Sequence, residues 1–309
     1  MLRNRREGVK IPAADQRLMY ASPGRYNVSM NDTVRLPIVS GTFYPAQADQ
    51  LRAVLGDLLR HRDNVTTTCL RTSMGLIVPH AGYAYSGGTA AAGFVAAAQF
   101  GHPDLAVILG ASHTGIGPWF ALSPHSVWET PLGQSPVDLN VMSGLCDAGF
   151  SQDAASFEQE HSIEVQLPFI QSLWGIETPI VPICVSPAQP TAIQDAARAL
   201  TKALNGRKAL IIASSDFSHY QPDFLTRTVD AEALKQILSL HVPQFHQLCA
   251  EKHLTICGAT AIEVLMSIAL DRQWSNVQTV QYATSGDVTG DLDAVVGYAS
   301  VFMTKENYG

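Results

Sequence analysis

Leu76-Ile77-Val78-Pro79-His80-Ala81-Gly82-Tyr83-Ala84-Tyr85-Ser86-Gly87-Gly88-Thr89-Ala90 is the stretch that decides the fold. A short apolar run stops at a histidine, turns through a glycine, and continues into an alanine-rich segment reaching about Phe100. This pattern predicts a buried strand over 74–79 with a helix packed behind it. His80 would then stand at the carboxyl edge of a sheet, where open α/β folds bind ligands. A single histidine at a strand end can equally be bonded to a loop.

Other strands end in the same way. Leu105-Ala106-Val107-Ile108-Leu109-Gly110 leads into Ala111-Ser112-His113, and Ala209-Leu210-Ile211-Ile212-Ala213-Ser214 runs into Ser215-Asp216-Phe217-Ser218-His219-Tyr220. Carboxyl ends of parallel strands share one edge, so His80, His113, Asp216 and His219 are expected to converge there as a metal or acid/base site. Neutral imidazoles suit iron, copper, zinc or nickel. Cys257, in Thr255-Ile256-Cys257-Gly258 at the start of a helix, is a candidate third ligand. The helix dipole is expected to lower its thiol pKa, and the alternative is a buried residue near a cap.

His161 and Glu164 stand three apart on a helix predicted to open at Glu160. They either orient a ligand or form a solvated helix face. Tyr83 and Tyr85 either line the pocket or pack in the core. His61, His102, His125, His241, His246 and His253 lack strand-end placement and read as surface or structural.

Ile180–Val185 is a further apolar strand, and helices are predicted near 47–61, 138–148, 189–204, 226–240 and 243–253, with another from Cys257 to about Gln273. Segment 120–136 reads as extended or looped. Strands near 277–284 and 294–303 close the chain and are expected to pair antiparallel. The alternation indicates an α/β fold with a central, largely parallel or mixed sheet sandwiched by helices. Residues 1–33 are polar and aperiodic, a flexible extension by this reading, with Met30 as an alternative start. Residues 34–309 read as a single domain.

The composition, 46% hydrophobic and 15% charged over 309 residues, is that of a soluble globular protein. A net charge of −7 argues against nucleic acid or an anionic membrane as partner. No apolar run approaches the roughly 20 residues of a membrane span, and no signal-peptide core follows Arg3, Arg5, Arg6 and Lys10. Five cysteines with no CxxC pair fit a reducing cytosol. Phosphate-loop, dinucleotide, nucleophile-elbow and HExxH motifs are absent.

At these residues the sequence resembles the MEMO family, whose prokaryotic members are called AmmeMemoRadiSam system protein B. The resemblance runs through Gly41-Thr42-Phe43-Tyr44-Pro45, Val78 to Gly87, Leu109-Gly110-Ala111-Ser112-His113, Glu160-His161-Ser162-Ile163-Glu164, Ser214 to His219, Cys257-Gly258 and Tyr282 to Asp287. It implies the fold of the class III extradiol (LigB-like) dioxygenases, with His80, His113 and Cys257 as metal ligands. His219 would be the acid/base histidine, with Asp216 beside it. Iron(II) is the first expectation for the metal, with copper(I) or zinc as alternatives, because a thiol replaces the dioxygenase carboxylate. The implied function is a cytoplasmic metal-binding oxidoreductase acting on an unidentified substrate. A non-catalytic binding or adaptor protein holding a small molecule or peptide in the crevice is the alternative, or a metal-dependent hydrolase. The system name implies company with an AMMECR1-type protein and a radical-SAM protein.

Overall fold

Four strands form the centre of the molecule because their sequences are apolar at every position but Ser214, the last residue of one of them. A computed structural model describes residues 33–60 and 68–305. In it β1 (Val34–Arg35) precedes α1 (Ala48–Leu58), β2 (Met74–Val78), α2 (Tyr83–Ala98) and β3 (Leu105–Ala111). Then come β4 (Phe120–Leu122), β5 (Val127–Thr130), β6 (Gly133–Pro136), α3 (Leu139–Asp147) and β7 (Ser151–Gln152). A 3-10 turn at Glu164–Gln166 leads into α4 (Leu167–Trp174), followed by β8 (Ile180–Val185), α5 (Pro190–Ala203), β9 (Ala209–Ser214) and β10 (His219–Gln221). The chain closes with α6 (Asp223–Leu238), α7 (Val242–Glu251), α8 (Ala259–Asp271), β11 (Asn276–Thr284), α9 (Gly286–Thr289) and β12 (Val295–Thr304). The expected N-terminal extension, Met30 and His61 lie outside the described residues.

β2, β9, β3 and β8 lie side by side and parallel, every residue of each buried. Strands covered on both faces read as continuous apolar runs rather than as alternations. β12 joins β2 antiparallel and carries β11 and β10, also antiparallel, while β4 joins β8 antiparallel. The sheet is therefore mixed around a parallel centre. A small separate sheet pairs β1 with β5 and β5 with β6, the last two lying within the segment 120–136 expected to be extended or looped.

Helices cover both faces. A Cβ added at Gly75 would lie 2.9 Å from Leu265 of α8, and one added at Gly93 of α2 would lie 3.0 Å from Val78. Positions 75 and 78 of β2 point to opposite faces, so α8 and α2 do too. Gly93 is what lets α2 approach the sheet so closely.

The segment expected to open a helix at Glu160 does not. The Glu160 carboxylate takes the backbone N–H groups of His161 and Ser162, and Ser162 Oγ donates to Ala111 O at 2.9 Å, tying the turn to β3. Regular α-helix begins only at Leu167, with Pro168 in its first turn. No described helix is long and apolar enough to cross a membrane.

Candidate metal centre

β9 lies between β2 and β3, with Ser214 in register with both Val78 and Gly110. His80 and His113 therefore rise from the flanking strands on either side of Ser214. Cys257 arrives from the loop before α8, which is docked by Gly258 N donating to Ser215 Oγ at 2.9 Å. The ligand atoms of His80, His113 and Cys257 all lie within 4.8 Å of one another.

The hydrogen bonds settle which imidazole nitrogens are free. Ser214 Oγ has one hydrogen, and it goes to Ser162 O at 2.7 Å. The hydroxyl can then only accept from its other neighbours: Gln166 Nε2 at 2.8 Å and His80 Nδ1 at 3.0 Å. His80 thus carries its proton on Nδ1 and turns the Nε2 lone pair to Cys257 Sγ, 3.2 Å away.

His113 Nδ1 lies 3.0 and 3.1 Å from the two oxygens of Glu160, which also accepts the His113 backbone N–H at 2.7 Å. The Nδ1 proton therefore belongs on the carboxylate side, and in the neutral ring Nε2 is left free. Carboxylate–histidine pairs of this kind orient metal ligands elsewhere. Two donors on one ion at about 2.0 and 2.3 Å sit roughly 3.5 Å apart in tetrahedral geometry, so the 3.2 Å between His80 Nε2 and Cys257 Sγ suits a shared ion.

The electrostatics keep the imidazole of His80 neutral. Burial, then repulsion from His113, pulls its pKa down to about 3. Burial also opposes charge on His113, but the hydrogen bond and charge of Glu160 outweigh it and raise that pKa. Glu160, although buried, is held at about 2 by its bonds to His113. Cys257 departs from expectation. It precedes the helix by two residues, and burial followed by the Asp216 charge pushes its thiol well up, against the N–H of Asp216 donating at 3.2 Å. Desolvation outweighs the helix dipole here. Without a metal the S–H donates to the lone pair of His80.

His219 comes to the same edge, near His80 and Asp216. Its tautomer is fixed by Thr255 rather than by Asp216: Nδ1 donates to Thr255 O at 2.8 Å, and the His219 backbone N–H donates to Thr255 Oγ1 at 2.7 Å. Asp216 Oδ1 instead accepts the backbone N–H groups of His80 and Ala81, at 2.8 and 3.3 Å, and so shapes the turn that carries His80.

His161 stacks on His113 with ring centroids 4.6 Å apart and meets Phe43 at the same separation. Burial lowers its pKa to about 4, so it too is neutral. Glu164 does not orient a ligand. It accepts Ile38 N, Val39 N and the Tyr44 hydroxyl, fastening the 38–44 segment whose Phe43 packs on His161. Tyr83 is core: it is buried against Phe169 and donates to Val165 O at 2.7 Å. Tyr85 is exposed on the first turn of α2. Of the other histidines, His102 is held between two backbone carbonyls, and His246 pairs with buried Glu263.

The profile of the Memo-like protein family matches residues 35–302, which include the candidate ligands and their supports. The chain belongs to the Memo-like family. It is 36% identical to a MEMO1 family protein of Ignicoccus hospitalis over 280 residues, 87% of this chain and 98% of that protein. Against a MEMO1 family protein of Pyrobaculum aerophilum the identity is 38% over 281 residues, 88% and 99% of the two chains. A relative in Thermotoga maritima is 37% identical over 279 residues, 87% and 99% of the two chains. A solved structure of an uncharacterized protein from Escherichia coli K12 aligns with a TM-score of 0.48 at 13% identity, covering 74% of this chain and 99% of that one.

Within this Memo-like protein, sequence reasoning passed over Glu160, Ser214, Gln166 and Thr255. Ser214 did carry a signal. A hydroxyl ending an otherwise apolar buried strand must find partners.

Proposed function

We propose that the chain binds one transition-metal ion through His80 Nε2, His113 Nε2 and Cys257 Sγ, iron(II) first and copper(I) as the softer alternative, for redox or oxygen-linked chemistry. The substrate would be a small organic ligand admitted to the crevice. The observation that carries this reading is the pair of locked tautomers: Ser214 and Glu160 each take an Nδ1 proton and leave two Nε2 lone pairs beside one thiol. A bound ion of this class supplies one-electron redox change and Lewis acidity.

The protein's own groups supply the rest. Cys257 surrenders its proton on binding, which gives the site a negative donor that offsets the ion's charge. Glu160 keeps the His113 ring in place and makes it the more basic ligand. His219, with Nδ1 bonded to Thr255 O, keeps Nε2 for holding or moving a proton. Phe43 packs on His161, which stacks on His113, so the two rings hold that side of the site in place. The five thiols, none of them paired, suit the reducing cytosol.

Anaerobic titration with Fe(II) and with Cu(I) tests the assignment. Wild type should bind one ion per chain, and His80→Ala and Cys257→Ser should lose high-affinity binding. Equal stoichiometry in all three proteins overturns it. Oxygen consumption over a catechol panel, beside hydrolysis of an ester panel, separates redox from hydrolytic use.

A further inference from the structure

A cleft of about 500 Å³ opens between α5, α7 and α8 and shares no residue with the metal-ligand group. Its size is within the range of small-molecule sites. Ile193, Ala197, Val242 and Leu270 contribute apolar wall, and Glu263, midway along α8, lines it while only 3% exposed.

Glu263 Oε1 lies 3.0 Å from His246 Nδ1, and Oε2 has no hydrogen-bond partner among the described residues. Ser267, also on the wall, has committed its hydroxyl hydrogen to Glu263 O at 2.8 Å, so only its lone pairs remain. The cleft thus offers unmatched acceptors. Of the charged side chains at its rim, Arg198 is paired with Asp195, and Asp271 is acidic. Burial opposes the charge on Glu263, with His246 as its one ionic neighbour, so a cation brought to the free oxygen relieves that cost.

We propose that this cleft is a binding site for a small amphipathic amine, with the protonated amine on Glu263 Oε2 and an aliphatic or aromatic body against Ile193, Ala197, Val242 and Leu270. An alcohol of the same length keeps the apolar contact but lacks the charge-assisted hydrogen bond, and a carboxylate meets repulsion.

Calorimetric titration of the full metal-free chain with hexylamine, 1-hexanol and hexanoate tests this. Hexylamine should bind saturably, about tenfold or more tighter than hexanol, with hexanoate weakest. Glu263→Gln should lower hexylamine affinity about tenfold and leave hexanol unchanged, with its thermal transition reporting that it folds. Val242→Lys, at a half-buried wall position, supplies a tethered ammonium and should abolish amine binding whether or not Glu263→Gln is stable. No saturable binding of hexylamine, equal affinity for amine and alcohol, or unchanged amine affinity in Val242→Lys overturns the proposal.

Discussion

Replacing Glu160 by Gln separates the support of the proposed metal site from its candidate ligands. The carboxylate is 1% exposed and accepts the His113 ring N–H together with the backbone N–H groups of His113, His161 and Ser162. Holding it at about 2 instead of 4.5 stabilises the folded anion at neutral pH by about 3 kcal/mol. Glutamine cannot receive this set, because its amide N–H₂ must face at least one of the same donors. The metal-free variant should therefore melt roughly 5–10 °C below wild type at pH 7. The folded-state value lies below the unfolded one, so the stabilisation is complete above about pH 4.5 and is lost as pH falls toward 2. The gap between the two proteins should close over that window. With His113 free to rotate, metal affinity should drop about 10- to 100-fold while stoichiometry stays the same. Thermal melts from pH 7 to 2.5 and a competitive Zn(II) titration read both effects. A stability gap that persists unchanged to pH 2.5, or an unchanged metal affinity, refutes the assigned role.

Ser214→Ala removes the acceptor shared by His80 Nδ1 and Gln166 Nε2, and should cost about 1–3 kcal/mol in urea unfolding and at least several-fold in metal affinity. Metal loading at pH 7 should release at least one proton per ion, from the Cys257 thiol that burial keeps protonated and from the fraction of His113 that Glu160 holds protonated, and Cys257→Ser should lower the release by about one. Potentiometric titration in weak buffer measures it. Gly258→Ala places a Cβ 2.6 Å from Ser215 Cβ and 2.7 Å from Ser214 O, so it should push the Cys257 loop off the sheet. A loss of about 1–3 kcal/mol in stability, with weakened thiolate absorption in the Co(II)-loaded protein, is the expected result.

The sheet centre was legible because strands buried on both faces read as apolar runs, as β2, β3, β8 and, up to Ser214, β9 do. Strand ends then located His80 and His113. The roles within Glu160-His161-Ser162-Ile163-Glu164 were not legible. Two carboxylates four residues apart look interchangeable in a sequence, and helical spacing gave the candidate role to Glu164. In the fold Glu160 faces His113, whereas Glu164 faces Val39 and Tyr44, over 100 residues away in the chain. Long-range partners of this kind leave no local pattern. The electrostatics of Cys257 were misjudged for a related reason: position near a helix start is visible in sequence, but desolvation of the thiol by the neighbouring β9 edge is not.

Sheet order explains why small side chains matter at this site. β2 and β3 are separated by β9, so their backbones stand about 9.6 Å apart at ordinary strand spacing. Yet the His80 and His113 ring centroids are 5.0 Å apart. The two imidazoles must therefore lean inward over the end of β9, into space that a larger residue at 214 would fill. Ser214 leaves that space and at the same time fixes the His80 tautomer, two tasks no apolar residue of its size can combine. Ser215 repeats the economy one residue later: its Cβ leaves no room for a side chain at Gly258, and its hydroxyl receives the Gly258 N–H that docks the Cys257 loop. The Ser-Ser step at the end of β9 is thus as much a structural requirement of the proposed metal centre as its three candidate ligands are.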